Sequence, residues 1–283
     1  MRENERLARY STFGIGGAAR WFVEVSTVDQ MVDALSWARD RSLPLLLIGR
    51  GSNTLFNDQG FEGLAILNRI DGVEIDGAGV VTAGSGASYS RLGAQMSRQG
   101  WSGLEFASGI PGTVGGAVVM NAGANGRETA DALLSVEFVT SSGQRKTAER
   151  ADLEFGYRHS PFQGSGDIVV GARFQLVRSE QAAAYQREIF ERRKQSQPYG
   201  DRSAGCIFRN PPGKSAGALI DQCGLKGASV GGASVSELHG NFIVNQGGAT
   251  GAQVRELIEQ VKQSVKKQTG IELQEEVRFA PHC

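Results

Sequence analysis

Thirty-nine of the 283 residues are glycine, gathered at 14–17, 49–51, 84–86, 109–126, 224–232 and 247–251. Glycine loses more backbone freedom on folding than any other residue. Clusters of it belong where a chain turns sharply or comes close to another segment or a ligand. No G-X-Y period accompanies them, and hydrophobic residues make up 40% of the chain. A collagen-like or low-complexity chain is thereby excluded, and the glycines read as functional turns in a folded protein.

The length suggests about two domains. Lys plus Arg and Asp plus Glu number 30 each, so no general electrostatic pull toward nucleic acid or anionic lipid is expected. The N-terminus is polar and no apolar run reaches the roughly 18 residues of a membrane span. Cys206, Cys223 and Cys283 form no CxxC pair, which predicts reduced thiols and a cytoplasmic protein. The three histidines are too scattered to form a metal set with them, and no metal is expected.

Periodicity gives a mixed chain, α+β without regular βαβ winding. Thr27 to Gln30 reads as a capping box opening a helix. A continuous apolar strand, Leu45 to Ile48, runs into Gly49. Further strands are predicted at 63–68, 73–75, 80–83, 134–140, 168–177 and 241–245. Helices are predicted at 88–98, 180–197 and 216–222. A helix capped by Thr250 and Gln253 carries Val254, Leu257, Ile258, Val261 and Val265 on one face and stops at Gly270. A last strand is expected over 271–279.

The glycine turns carry the functional signal. In Gly49-Arg50-Gly51-Ser52-Asn53, glycines let backbone N–H groups approach phosphate oxygens, and Ser52 and Asn53 add side-chain donors. A second turn runs through Gly109, Ile110, Pro111, Gly112, Thr113 and Gly116 to Asn121 and Gly126, and Gly84-Ser85-Gly86 is a possible third wall. A phosphate-binding P-loop needs a lysine after the glycines, and none follows. A Rossmann turn needs a helix after GxGxxG, but residues 55–63 are turn-rich. What remains is a dinucleotide cradle of another type, in a reductase, in an oxidase on the same flavin fold, or in a nucleotide-binding module without chemistry.

Six segments, in order and at family-like spacing, make the chain resemble the UDP-N-acetylenolpyruvoylglucosamine reductases. They are Ser11–Gly17, Gly49–Asn53, Gly109–Gly126, Phe155–Ser160, Ser203–Pro211 and Glu276–Arg278. The resemblance implies a two-part FAD-binding cradle of the vanillyl-alcohol-oxidase (PCMH) type plus a C-terminal α+β substrate domain. Its parts would be 1–60 (with 271–283 a candidate to rejoin it), 61–178 and 179–270, in the shorter form of the family. It implies non-covalent FAD, NADPH as hydride donor, and a UDP-sugar enolpyruvyl ether as substrate in peptidoglycan precursor synthesis. No nucleic-acid or membrane partner is implied, and a monomer or weak oligomer is expected.

The resemblance also assigns roles. Hydride reaches the β-carbon of a carboxylate-conjugated enol ether, and negative charge builds on the α-carbon and carboxylate. Arg158 falls where the family's charge-stabilising arginine stands, and a guanidinium fork suits that carboxylate. Glu276 matches the second stabilising group and is expected to be protonated or paired with a cation when it acts. The adjacent Glu275 is expected to face solvent. Cys206 stands where many members have serine, as proton donor to the α-carbon. A thiol near its ordinary pKa of about 8.5 keeps its proton at neutral pH and is more acidic than a hydroxyl. Tyr157, Lys194 and Asn210 match the substrate-binding positions, and His239 receives no role.

Overall fold

The computed structural model describes residues 1–280, so the Cys283 thiol and residues 281–283 of the expected rejoining segment lie outside the described residues. The chain divides into two compact units, each assembled from separated stretches. One comprises 1–22, 50–65 and residues from 194 onward; the other comprises 23–49 and 66–193.

The second unit is built on a five-stranded antiparallel sheet in the order Arg145–Glu149, Leu133–Val139, Ile168–Gln175, Val80–Gly84, Val73–Ile75. Its first helix, α1 (Val28–Arg39), starts as the capping residues predict, with Thr27 Oγ1 accepting the Gln30 N–H. The return bond is displaced by one residue, because Gln30 Oε1 accepts from Ser26 N–H instead of Thr27. Helix α2 (Tyr89–Arg98) is capped by Ser88. It packs Tyr89, Leu92 and Met96 into a core shared with Val114, Ala117 and Val118 of α3 (Val114–Met120) and with Val136, Val169 and Phe174 of the sheet. α4 (Ala182–Ser196) realises the helix expected across 180–197.

The first unit pairs Arg2–Arg6 antiparallel with the part of the strand Ala18–Val25 up to Phe22 and carries a four-stranded antiparallel sheet in the order Ser203–Cys206, Phe242–Asn245, Ala233–Val235, Ser229–Val230. α5 (Ala216–Gln222) and α6 (Gly251–Thr269) cover it. In α6 the full capping box of Thr250 and Gln253 forms, and Gly270 ends the helix at φ 73. Val254, Leu257, Ile258, Val261 and Val265 are all at most 1% exposed. Each such burial contributes about 1.5–3 kcal/mol, so the apolar stripe holds this helix more firmly than propensity does.

Three expectations change. Leu45–Ile48 is a strand, but Leu45 and Leu47 are each 41% exposed while Leu46 and Ile48 are buried; the strand buries one face only. The strand expected over 271–279 shrinks to Arg278–Phe279, which pairs in parallel with Thr54–Leu55. Its alternation is real, since Leu273 and Val277 are buried, but they fill the core without a continuous neighbouring strand. The segment 109–126 is no simple turn: it contains α3 and the start of a small hairpin, Gly123–Ala124 with Arg127–Glu128. Propensity hid α3, because it is only seven residues long and includes two glycines.

Candidate active site

In the second unit the predicted glycine turns meet. A Cβ on Gly49 would stand 2.7 Å from Thr113 Oγ1, and one on Gly115 would stand 2.9 Å from Ser85 Cβ. Tyr89 N–H donates to Gly112 O, Val114 N–H to Ala87 O and Gly115 N–H to Ser85 O. The end of the apolar strand, the Gly84–Gly86 turn and the Gly109–Gly116 turn are therefore one constellation. Thr113 caps α3, accepting the Gly116 N–H at 3.3 Å.

The constellation suits an anion such as a pyrophosphate. Gly109 N–H is taken by Ser90 Oγ and Ile110 N–H by Ala107 O. Among the described residues the N–H groups of Gly112 and Thr113 have no partner. Ser108 Oγ, at the entrance of the same turn, is buried and unpartnered among the described residues. A buried hydroxyl without a partner is rare and costly, and with the two unpaired N–H groups beside Ser108 it fits a cradle completed by the phosphate oxygens of FAD. Arg193, the residue before Lys194, reaches this turn and donates from Nη2 to Gly109 O at 3.2 Å. Lys194 itself is exposed on the last turn of α4.

The far end of α3 holds Arg158. Asn121 caps the helix in a left-handed conformation, φ 41, fully buried. Its Nδ2 donates to Gly156 O at 2.9 Å and to Glu128 Oε2 at 2.7 Å, and its Oδ1 accepts from Ala130 N–H. Gly156 and His159 exchange backbone hydrogen bonds across a tight turn with Tyr157 and Arg158 at its tip. Arg158 adopts φ 54, a left-handed conformation unusual for a non-glycine residue. Gln163 supports it by donating to Arg158 O and Val119 O. The guanidinium lies over the Tyr157 ring at 4.9 Å and donates to Gly123 O at 3.3 Å. Asn121, placed among the cofactor residues by its motif, thus also positions the turn that carries Arg158.

In the first unit, residues 50–53 lie beside the segments bearing Cys206 and Glu276. Gly51 adopts φ 59, and a Cβ there would stand 2.0 Å from Tyr10 O, so only glycine is tolerated. Asn53 Nδ2 donates to Glu276 O at 3.2 Å, and Arg278 N–H donates to Asn53 O. Glu276 N–H donates to Ile207 O at 2.7 Å, beside Cys206. Opposite Phe242–Val244, the strand Ser203–Cys206 contains one residue more than its partner and Gly205 takes φ 71. Such a bulge re-aims the following side chain, and that side chain is Cys206, which is partly exposed.

A second buried asparagine fixes this segment. Asn241, 3% exposed, accepts Phe208 N–H at 2.9 Å and donates to Phe208 O at 2.8 Å, while its own carbonyl accepts Ile207 N–H. Nothing in the sequence marked this residue except a polar side chain opening the apolar run 241–245. Asn210 is exposed and its Oδ1 accepts Ala216 N–H in the first turn of α5. His239 Nδ1 accepts Asn241 N–H at 3.1 Å.

Glu275 does not face open solvent. It is partly buried and pairs with Lys262 Nζ of α6 at 2.5 Å. That hydrogen bond is the leading cause of the raised Lys262 pKa. The expectation failed because α6 packs against the segment and offers a cation where alternation alone foresaw water. Two residues beyond Glu276, burial and then the like charge of Arg209 lower the Arg278 pKa.

The family models match in two stretches. Residues 19–149 match an FAD-binding domain, and residues 197–280 match the C-terminal domain of UDP-N-acetylenolpyruvoylglucosamine reductase. The chain is 51% identical over 276 residues to the enzyme of that name from Protochlamydia amoebophila, covering 98% of this chain and 92% of the relative. It is 50% identical over 281 residues to that of Chlamydia muridarum, covering 99% and 95%. The crystal structure of the Thermus caldophilus enzyme superposes with a TM-score of 0.86 at 38% identity, covering 99% of this chain and 98% of that one. The α+β architecture with an FAD-binding part and a C-terminal reductase domain stands as expected, and the chain belongs to the UDP-N-acetylenolpyruvoylglucosamine reductases, FAD-dependent oxidoreductases of peptidoglycan precursor synthesis.

Proposed function

We propose that the chain reduces the enolpyruvyl ether of UDP-N-acetylglucosamine to UDP-N-acetylmuramate in the cytoplasm, and that Arg158, Cys206 and Glu276 carry the reaction. The hydride for the β-carbon would come from FAD held at the glycine turns and reduced by NADPH. Cys206 gives its thiol proton to the α-carbon, so the balance is one hydride and one proton added across the double bond. The bulge at Gly205 supports this role, because it turns Cys206 out of the regular strand alternation. Arg158 binds the carboxylate on which charge accumulates, held ready by its left-handed turn. Glu276 acts next to that charge as a neutral acid or beside a cation.

Gly49 to Asn53, together with Gly109 to Thr113, Gly116 and Asn121, seat the pyrophosphate of FAD. Tyr157, Lys194 and Asn210 contact the UDP-sugar. In this reading residues 1–60 and 61–178 form the two parts of the cofactor cradle, and 179–270 the substrate domain. The observation that carries the cofactor assignment is the unpartnered donor set of Ser108, Gly112 and Thr113 at the second glycine turn.

The test is spectroscopic. Purified protein is expected to show a flavin band near ~450 nm that NADPH bleaches, as a flavin cofactor carries the redox chemistry. The enolpyruvyl UDP-sugar is then expected to restore it far faster than oxygen does. Rapid reoxidation by oxygen with no response to the sugar nucleotide rejects this function in favour of an oxidase.

A further inference from the structure

Within the first unit lies an open cleft of about 630 Å³ lined in part by Ser11, Thr12 and the exposed side chains of Arg6, Arg9 and Arg202. None of these residues has a part in the reaction derived above. The three arginines come from separate places: the end of the strand Arg2–Arg6, the short 3-10 helix Leu7–Tyr10, and the turn before Ser203–Cys206. In a chain whose charges balance overall, three guanidiniums around one cleft are a local arrangement and not a consequence of composition.

Their countercharge is incomplete. Arg9 pairs with Glu5 at 3.4 Å, but Glu5 also serves Arg2 and the Tyr10 hydroxyl. Among the described residues neither Arg6 nor Arg202 forms an ion pair. Ser11 Oγ accepts Phe13 N–H, which leaves its own proton as a donor. A monoanion would leave this charge set in excess, whereas a phosphate brings more charge and several oxygens. Arginine forks match phosphate oxygens in pairs, and the volume lies within the range of ligand pockets.

The cleft wall also touches the cofactor turn. Thr12 donates to Gly51 O from both its N–H and its Oγ1, each at 3.2 Å. We propose that this cleft is a phosphate-recognition site for a nucleotide, with Arg6 and Arg202 as the principal contacts and Arg9 and Ser11 in support. The phosphate chemistry is common to the diphosphate of the UDP-sugar, the 2′-phosphate of NADPH and a free nucleotide acting as effector.

The experiment is calorimetric titration of FAD-loaded protein with inorganic pyrophosphate, for wild type, R6Q, R202Q and the control R98Q. Arg98 is an exposed arginine at the end of α2 in the other unit. R6Q and R202Q are expected to weaken pyrophosphate binding at least about tenfold each, as charge-assisted hydrogen bonds are lost, with R98Q unchanged. Failure of wild type to bind pyrophosphate, or equal weakening in R98Q, overturns the proposal. Steady-state kinetics of the same variants then identify the source. A KM rise for NADPH but not NADH assigns the donor's phosphate, and a KM rise for the UDP-sugar assigns its diphosphate. Weakened pyrophosphate binding with both KM values unchanged assigns a separate nucleotide. Each of these three kinetic results supports the phosphate site.

Discussion

The two units each hold a segment to which the proposed reaction gives a part, each with one buried asparagine, and they do it differently. Asn121 works at a helix end: its backbone is left-handed, and its amide ties together Gly156, Glu128 and Ala130. Asn241 works at the start of a strand, where its amide pairs with both backbone groups of Phe208 as another strand would. The first clamp supports a turn in which Arg158 is itself at positive φ. The second supports nearly regular pairing, with the departure confined to a glycine bulge. An irregular conformation needs more side-chain hydrogen bonds to hold it than a regular one, since regular structure supplies its own.

The largest effect is expected at the group that Asn241 holds in register. Cys206→Ala is expected to lower turnover by about 10²–10⁴, as loss of a placed general acid does, while Cys206→Ser keeps substantial activity. Stopped-flow reduction of the flavin by NADPH should be unchanged in both. An alanine variant with wild-type turnover removes Cys206 from the mechanism.

The asparagines come next. Asn121→Ala removes two donated bonds and one accepted bond from a buried site and leaves a left-handed alanine, so a loss of about 3 kcal/mol in denaturant unfolding is expected. Asn241→Ala breaks one reciprocal pair and should cost about 2 kcal/mol. Asn121→Gly should recover about 1 kcal/mol relative to Asn121→Ala, because glycine tolerates the left-handed backbone. If Asn241→Ala proves the more costly, or glycine recovers nothing, the contrast between the clamps fails. Kinetically, Asn241→Ala is expected to slow reoxidation by substrate without slowing reduction by NADPH.

The smallest effect concerns Glu275 and Lys262. The Lys262 pKa is raised by its hydrogen bond to Glu275. Its contribution is therefore complete below the unfolded lysine pKa of about 10.4 and is lost as pH rises through the higher folded value. Both side chains are partly exposed, so Glu275→Gln should cost under about 1 kcal/mol at neutral pH. The difference from wild type should vanish above that alkaline range in pH-dependent unfolding. Activity is expected to be nearly unchanged, in contrast to Glu276→Gln.

Local signals were legible wherever one segment carried its own instructions. Thr250, Gln253 and Gly270 bounded α6, and its apolar stripe named the buried residues before any packing was visible. The glycine turns were legible as turns, and their order beside Arg158, Cys206 and Glu276 carried the family. Other features were not legible, because they depend on contacts between distant segments. Glu275 met Lys262 only when α6 folded against it. Arg193 met Gly109 across a sequence separation of 84. The Asn241 clamp spans 33 residues and the Asn121 clamp 35.

The sequence by itself determined where the chain must bend and which residue types stand at those bends, because φ preferences and missing side chains are properties of single residues. Tertiary structure alone decided which bends meet, which donors remain without a protein acceptor, and which way Cys206 turns. Those outcomes are set by burial and by hydrogen-bond completion across segments that are remote in sequence.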